Sequence, residues 1–411
     1  MTSKDRIMAA IRGRPGDYVP LTTWCFGLSA PPGLAWTTDS HAVPYWYTGR
    51  LEHLHTLPIP WTLEDDFRRV LAWRALGVDD LLDVSVPWSM NPEVTWSDTT
   101  VPAGVMDPQY AVMIRDYRLP GTTLRHAVRR TDETQPPGWV VQPDHVPLIE
   151  DFNIPRAVKH LVTGPAEVEA IRHLYRGPDA DAQRKFRERM AGVRTFADRE
   201  GVAVQAWAGF GMDAVVWFCG AEGAVMLALD EPRAFGRLFD IITECDLARV
   251  ELAASTPGVD LVCGRGWYSS TDFWSPALFN EFVFPHVKML AGAAHARGKP
   301  FGYVMTTGVQ TLGPRLADAG VDVLYFVDPV QDRITVEQAR DLLGGRMTLV
   351  GGTNALSLQS RDQDRIRREV RRAVEALKPT GRFILHPVDA LFPDTPWKGI
   401  ETLIEAWKEF R

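Results

Sequence analysis

The chain has 411 residues, 45% of them hydrophobic and 24% charged, which supplies a large buried core and excludes a disordered protein, a small disulfide scaffold and a collagen-like repeat. Lys and Arg number 45 against 52 Asp and Glu, a net charge of −7 with no long single-sign block, so a small-molecule partner is expected and neither a nucleic-acid face nor a polybasic membrane anchor is. The cysteines, Cys25, Cys219, Cys245 and Cys263, form no C-x-x-C pair, which disfavours a zinc ribbon and suits a reducing compartment.

The opening MTSKDRIMAAIRGRPGDYVP is amphipathic and charged with no apolar signal core, and no stretch reaches the apolar length of a membrane span, so a cytoplasmic protein is expected. A β-rich run follows at Val19 to Cys25 (VPLTTWC), then the helical LEDDFRRVLAWRAL and a second run at Asp80 to Pro87 (DLLDVSVP). Residues 90–152, from Met90 to Phe152, are rich in Pro, Gly, Thr and Asp with short alternating pieces (YAVMIRDYRLP, WVVQPDHVPLI), and read as a hairpin-like insertion covering the strand-end face. The third run is Val202 to Phe210 (VAVQAWAGF), and GVDLVCGRGW, KPFGYVMTT, VDVLYFVD, RMTLVGGTN and RFILHPVD complete a set of eight. Between them lie helical segments with their own stops. SPALFNEFVFPHVKMLAGAAHARGK starts at Ser275 and Pro276 and ends at Gly298, and DTPWKGIETLIEAWKEFR starts at Asp394 with an apolar face of Ile400, Leu403, Ile404 and Trp407. Eight strand–helix units predict a single α/β domain over 1–411, a closed (β/α)8 TIM-type barrel with the insertion between its second and third units. A doubly wound open sheet is the alternative.

In such a barrel the reacting groups stand at the C-terminal ends of the strands. Those positions hold Trp24 and Cys25, then Asp83, Ser85 and Trp88, then Trp207 and Asp213. Arg265, Trp267, Tyr268, Ser269 and Ser270 follow the fourth run, with Met305, Thr306, Thr307, Asp328, Thr353, Asn354, His386 and Asp389 after the later ones. A single strand-end Asp caps a turn at least as often as it does chemistry, and Asp328 before Pro329 and Asp394 before Thr395 and Pro396 lean towards capping. His386 titrates near neutrality when unperturbed, and Asp389 three residues on could hold its tautomer. His286 and His295 are too far apart in register to share a metal, and His53 and His55 decorate a loop more readily than they bind one. Of the 14 tryptophans, Trp24, Trp88, Trp207 and Trp267 could wall one mouth, a shape for a planar aromatic substrate. No P-loop and no G-x-S-x-G elbow occurs, and GFGMDA (Gly209 to Ala214) lacks dinucleotide spacing.

SKDRIMAAIRGRPGDYVPL, LGVDDLLDV, SPALFNEFVFPHVKML and RFILHPVDALFPDTPWKGIETLIEAW, taken in order, resemble the uroporphyrinogen decarboxylase superfamily, which also contains zinc-dependent methyltransferases serving corrinoid proteins. The resemblance spans nearly the whole chain outside the insertion and implies the barrel fold and a homodimer. It departs at the functional positions. The arginine-bearing loop that grips an acidic porphyrinogen reads WCFGLSAPPGL here, without arginine. The family's catalytic aspartate matches Asp83 across a short gap and Val86 without one. Its C-terminal histidine matches Asp389, with His386 at the asparagine. Its tyrosine falls near Trp217, and its later hydroxyl on Ser269 or Ser270. The methyltransferases' H-x-C-G zinc pair matches Met305-Thr306-Thr307-Gly308 and their later cysteine falls near Asp389, so no metal is expected.

Three readings follow. The first is a metal-free, cofactor-free carboxy-lyase acting on a small aromatic or heteroaromatic acid. Asp83 or Asp389 would stabilise charge, His386 would deliver the proton, and Arg265, Tyr268 and Asn354 would orient substrate, with Trp24, Trp207, Asp213, Ser269 and Thr307 also lining the site. The second is a methyltransferase or O-demethylase half-reaction with a cobalamin-loaded corrinoid protein as partner. The third is a catalytically inactive binding barrel.

Overall fold

Seven of the eight β-rich runs form consecutive strands of one parallel sheet in a computed structural model that describes residues 1–24, 63–131, 145–391 and 395–411. The expectations for Cys25, His53, His55 and Asp394 lie outside the described residues. In chain order the strands are β1 (Leu81–Ser85), β2 (Thr95–Val101), β3 (Val112–Leu119), β4 (Thr122–Arg129), β5 (Ala157–Lys159), β6 (Ala203–Gly209), β7 (Leu261–Gly264), β8 (Phe301–Val304), β9 (Val323–Val327), β10 (Thr348–Asn354) and β11 (Phe383–Val388). The parallel sheet runs β1-β6-β7-β8-β9-β10-β11. Every residue of these strands is buried, which is why they read as continuous apolar runs rather than alternating ones.

The first run lies beside the last strand, through a single bridge from Leu21 to Leu385. Thr22 donates its N–H to the Leu385 carbonyl at 3.0 Å, and Leu385 returns one to Pro20 at 2.9 Å. The described pairing is therefore a curled, open seven-stranded sheet flanked at one edge by the first run, where a closed eight-stranded ladder was expected.

β2, β3, β4 and β5 make a separate antiparallel sheet laced by cross-strand ion pairs, Arg115 on Asp98 and Arg125 on Asp116, each at 2.7 Å. It extends past residue 152 to Lys159. Helices connect the parallel strands. Ser275 caps the short helix Pro276–Leu278 as its sequence suggests, and the final helix Trp397–Phe410 buries Ile400, Leu403, Ile404 and Trp407. Among the described residues no single helix is long and apolar enough to cross a membrane; the bent pair Gly211–Cys219 and Ala221–Asp230 passes on composition, but the first of these helices is wholly buried.

Candidate active site

Parallel register sets Asp83 on β1 opposite Gln205 on β6, and Ser85 opposite Trp207. Residues two apart share a face, so Asp83, Gln205 and Trp207 meet. Asp83 Oδ1 accepts the Trp207 indole N–H at 2.7 Å and a second N–H from the Gln205 amide. The Trp207 ring lies 5.3 Å from Trp24 and 6.4 Å from Trp267, and Trp24 stacks on Tyr325 at 5.5 Å. These rings pack directly on one another and present Trp267, the partly exposed member, at the surface. Trp88 does not join them; it packs on Tyr175 and Phe210 at 5.8 and 6.1 Å.

A charged cluster stands beside this aromatic wall. Arg265, 3% exposed just beyond β7, donates Nε to Asp213 at 3.1 Å and a terminal nitrogen to Asp151 at 2.9 Å. Its guanidinium also faces the Trp267 and Trp217 rings at 4.5 and 4.9 Å. Asp213 sits in the first turn of helix Gly211–Cys219 and accepts the Tyr268 backbone N–H at 3.0 Å. Asp151 comes from the segment following the antiparallel hairpins and accepts from the Trp217 indole at 2.7 Å and the Tyr268 hydroxyl at 3.3 Å. One cation thus serves two carboxylates. Burial pushes Asp213 up to about 7, with Arg265 opposing and the Asp151 charge adding to the rise.

Asp389, half-buried after β11, is the fourth carboxyl of the site. Its pKa is pushed up to about 6 by burial, opposed by a hydrogen bond from the Trp267 side chain and by the Arg265 charge. Its covered Oδ1 finds no hydrogen-bond partner among the described residues.

His386 departs from expectation. It is fully buried, its Nδ1 is 3.0 Å from the Thr22 hydroxyl, and its Nε2 is 3.3 Å from the main-chain oxygen of Asp389, not the carboxylate. The carbonyl can only accept, so Nε2 carries the proton and Nδ1 accepts from Thr22. Burial pushes the imidazole down to about 3, which leaves no proton to deliver near neutrality. The C–H resonances of this ring are expected to stay unmoved between pH 5 and pH 8, and a titrating His386 signal would restore it as a proton donor.

Other strand-end candidates are hydrogen-bonded within the fold. Ser269 is buried, donating to the Gly266 carbonyl at 2.7 Å and accepting from Tyr303 at 3.0 Å. Asn354 donates to both oxygens of Asp328 at 2.9 and 3.0 Å, and Asp328 in turn caps the Val330 and Gln331 amides. Thr307 is tied to Asp272 at 2.5 Å, away from the cluster. Beneath the site Asp246, wholly buried, accepts the Phe210 and Gly211 amides at 2.8 and 2.7 Å and fixes the helix start that carries Asp213. Gly211 has φ +46°, and a Cβ there would stand 2.9 Å from His286 Nε2.

Asp83, Trp24, Trp207, Asp213, Arg265, Tyr268 and Asp389 therefore belong to one cluster joined through Trp267, in which Trp267, Tyr268 and Asp389 are the partly exposed members. Asp151 and Gln205 belong to it and were missed by the strand-end filter. Asp151 lies inside the presumed cover, whereas Gln205 had a signal, a lone amide within an otherwise apolar strand. Among the described residues no group of three or more His, Cys, Asp or Glu side chains is placed to hold a metal ion.

A family model described as uroporphyrinogen decarboxylase (URO-D) matches residues 150–410. No curated protein matches by sequence. Among solved structures, a methyltransferase from Methanosarcina mazei aligns over 100% of this chain and 99% of its own, at 18% identity and a TM-score of 0.60. A 3-keto-D-glucoside 4-epimerase from E. coli covers 56% of this chain and 86% of its own, at 10% identity and a TM-score of 0.36.

Proposed function

The chain belongs to the uroporphyrinogen decarboxylase family, and on that premise we propose that it is an enzyme working at the strand-end face of an eight-stranded barrel that the first run completes. The reaction we propose is removal of a methyl group from a neutral methoxylated aromatic compound, its acceptor a corrinoid carried by a separate protein. The observation that carries this reading is the commitment of Arg265. A decarboxylase for a small acid needs a cation for the substrate carboxylate, yet Arg265 already lies between Asp213 and Asp151. Asp83 adds a carboxylate to the same cluster, so an incoming anion meets like charge in a poorly solvated place. A neutral aromatic ether avoids that cost, and the Trp267 indole offers it a flat apolar face. The likeness in fold to a methyltransferase agrees with this choice.

The roles follow from the environments. As the C–O bond of the ether breaks, the aryl oxygen gains charge and needs a proton; Asp389, with Oδ1 available and its acidity weakened, supplies it. Asp83, fixed by two N–H donors, accepts a hydrogen bond from a free ring hydroxyl and orients the ring. The corrinoid, when its carrier docks, supplies the nucleophile that takes the methyl group. A docked group suits these residues better than a resident one, because both His386 nitrogens are engaged and Cys263 is buried, which leaves neither to ligate cobalt.

The test is incubation of the purified protein with guaiacol and reduced free cobalamin under anaerobic conditions. Catechol and methylated cobalamin are the expected products. Release of carbon dioxide from aromatic acids with no cobalamin present, and no demethylation, would move the assignment back to a carboxy-lyase.

A further inference from the structure

We infer that Gln205 is a positioning residue that aims the Asp83 carboxylate, and through it sets a preference for aromatic substrates bearing a free hydroxyl. Gln205 is 1% exposed in the middle of β6, where its neighbours are Val204 and Ala206. A primary amide buried there is costly unless its groups are satisfied. A leucine would fill similar space without polar groups, so the amide calls for an explanation in what it binds.

The contacts supply one. On one side its Nε2 donates to Asp83 Oδ1, the register partner across the β1–β6 ladder. On the other its Oε1 accepts the Tyr325 hydroxyl at 2.8 Å, with the Cys263 thiol 3.9 Å away. Tyr325 stands on β9, separated from β6 in the sheet by β7 and β8, so its hydroxyl reaches across the curl. The Asp83 contact settles which way the amide points. Reversing it would set Oε1 against the Asp83 carboxylate, which can only accept. Together with the Trp207 indole, the oriented amide places two N–H donors on one carboxylate oxygen, which stops the carboxylate turning about its bond and favours its ionised form.

The substrate preference rests on the demethylase reading; the positioning of Asp83 does not, and the experiment separates them. The Trp207 indole N–H, assigned by its loss in Trp207→Phe, is followed by nitrogen-15 NMR from pH 8 to pH 4 in wild type, Gln205→Leu and Tyr325→Phe. In Gln205→Leu the midpoint sensed at Trp207 is expected to rise by about one pH unit, and in Tyr325→Phe by less in the same direction. Tyr325→Phe deletes only a hydroxyl, so it remains informative should Gln205→Leu fail to fold. In parallel, Gln205→Leu is expected to lower the ratio of kcat/KM for guaiacol to that for veratrole, which lacks the hydroxyl, by about tenfold. Wild-type midpoints in both variants would overturn the positioning role. A raised midpoint with equal turnover losses on both substrates would overturn the substrate preference. No demethylation by wild type would remove the demethylase reading and that preference together, and leave the midpoints to decide the positioning role.

Discussion

Replacing Arg265 with leucine is expected to abolish turnover and to destabilise the fold by about 3–5 kcal/mol, because it strips the buried Asp213 carboxyl of the cation it shares with Asp151. Asp213 is wholly buried, and among the described residues Arg265 is the cation bonded to it, with Asp151 on the same guanidinium. The pH dependence distinguishes this cause from lost packing. In the native protein Asp213 is raised from 3.8 to about 7, so between those values it holds a proton that the unfolded chain has released. Its contribution is fully present below 3.8 and is lost as pH rises through about 7. Without Arg265 the carboxyl is pushed higher still, which extends the loss into the alkaline range. Urea unfolding should therefore find the variant closest to wild type near pH 5 and furthest from it near pH 8. An equal deficit at both would mean that the guanidinium acts by its bulk. Arg265→Lys should recover only part of the difference, since a single ammonium cannot serve both carboxylates as the planar fork does.

The parallel sheet was legible because strands buried on both faces must be apolar throughout, and the helices between them announce their ends with residues such as Ser275 and Gly298. The first run was legible as β-rich but not in its pairing. Its one bridge is to Leu385, near the far end of the chain, and nothing local to VPLTTWC reveals a partner so distant. Strand-end logic found Arg265, Asp213 and Tyr268 separately. Their meeting could not be read, since the Arg265 contacts span 52 residues to Asp213 and 114 to Asp151. The His386 and Asp389 pairing misled for a geometric reason. The strand ends at Val388 and the chain bends at Asp389, so proximity in sequence brought the imidazole a carbonyl and not a carboxylate.

Burial also inverts the acid–base roles of that pair, and the inversion predicts a pH profile. An imidazole loses its charge on burial and a carboxyl loses its own, so one pKa falls to about 3 while the other climbs to about 6. If Asp389 protonates the departing aryl oxygen, kcat/KM should be level below about pH 6 and fall tenfold per unit above it as the acid form is depleted. Asp389→Asn should lower the rate by about 10²–10³ and abolish that descending limb, while His386→Gln should leave the limb in place. The size of the Asp389 effect should depend on the leaving group. An electron-poor ring carries the developing phenoxide charge itself and needs the proton less, so the penalty of Asp389→Asn should shrink steadily along a series of increasingly acidic phenols. A penalty that stayed constant along the series would show that Asp389 holds the substrate and gives it no proton. In that case the pH limb near 6 would belong to Asp213, whose carboxyl is buried in the same cluster and raised by the same cause.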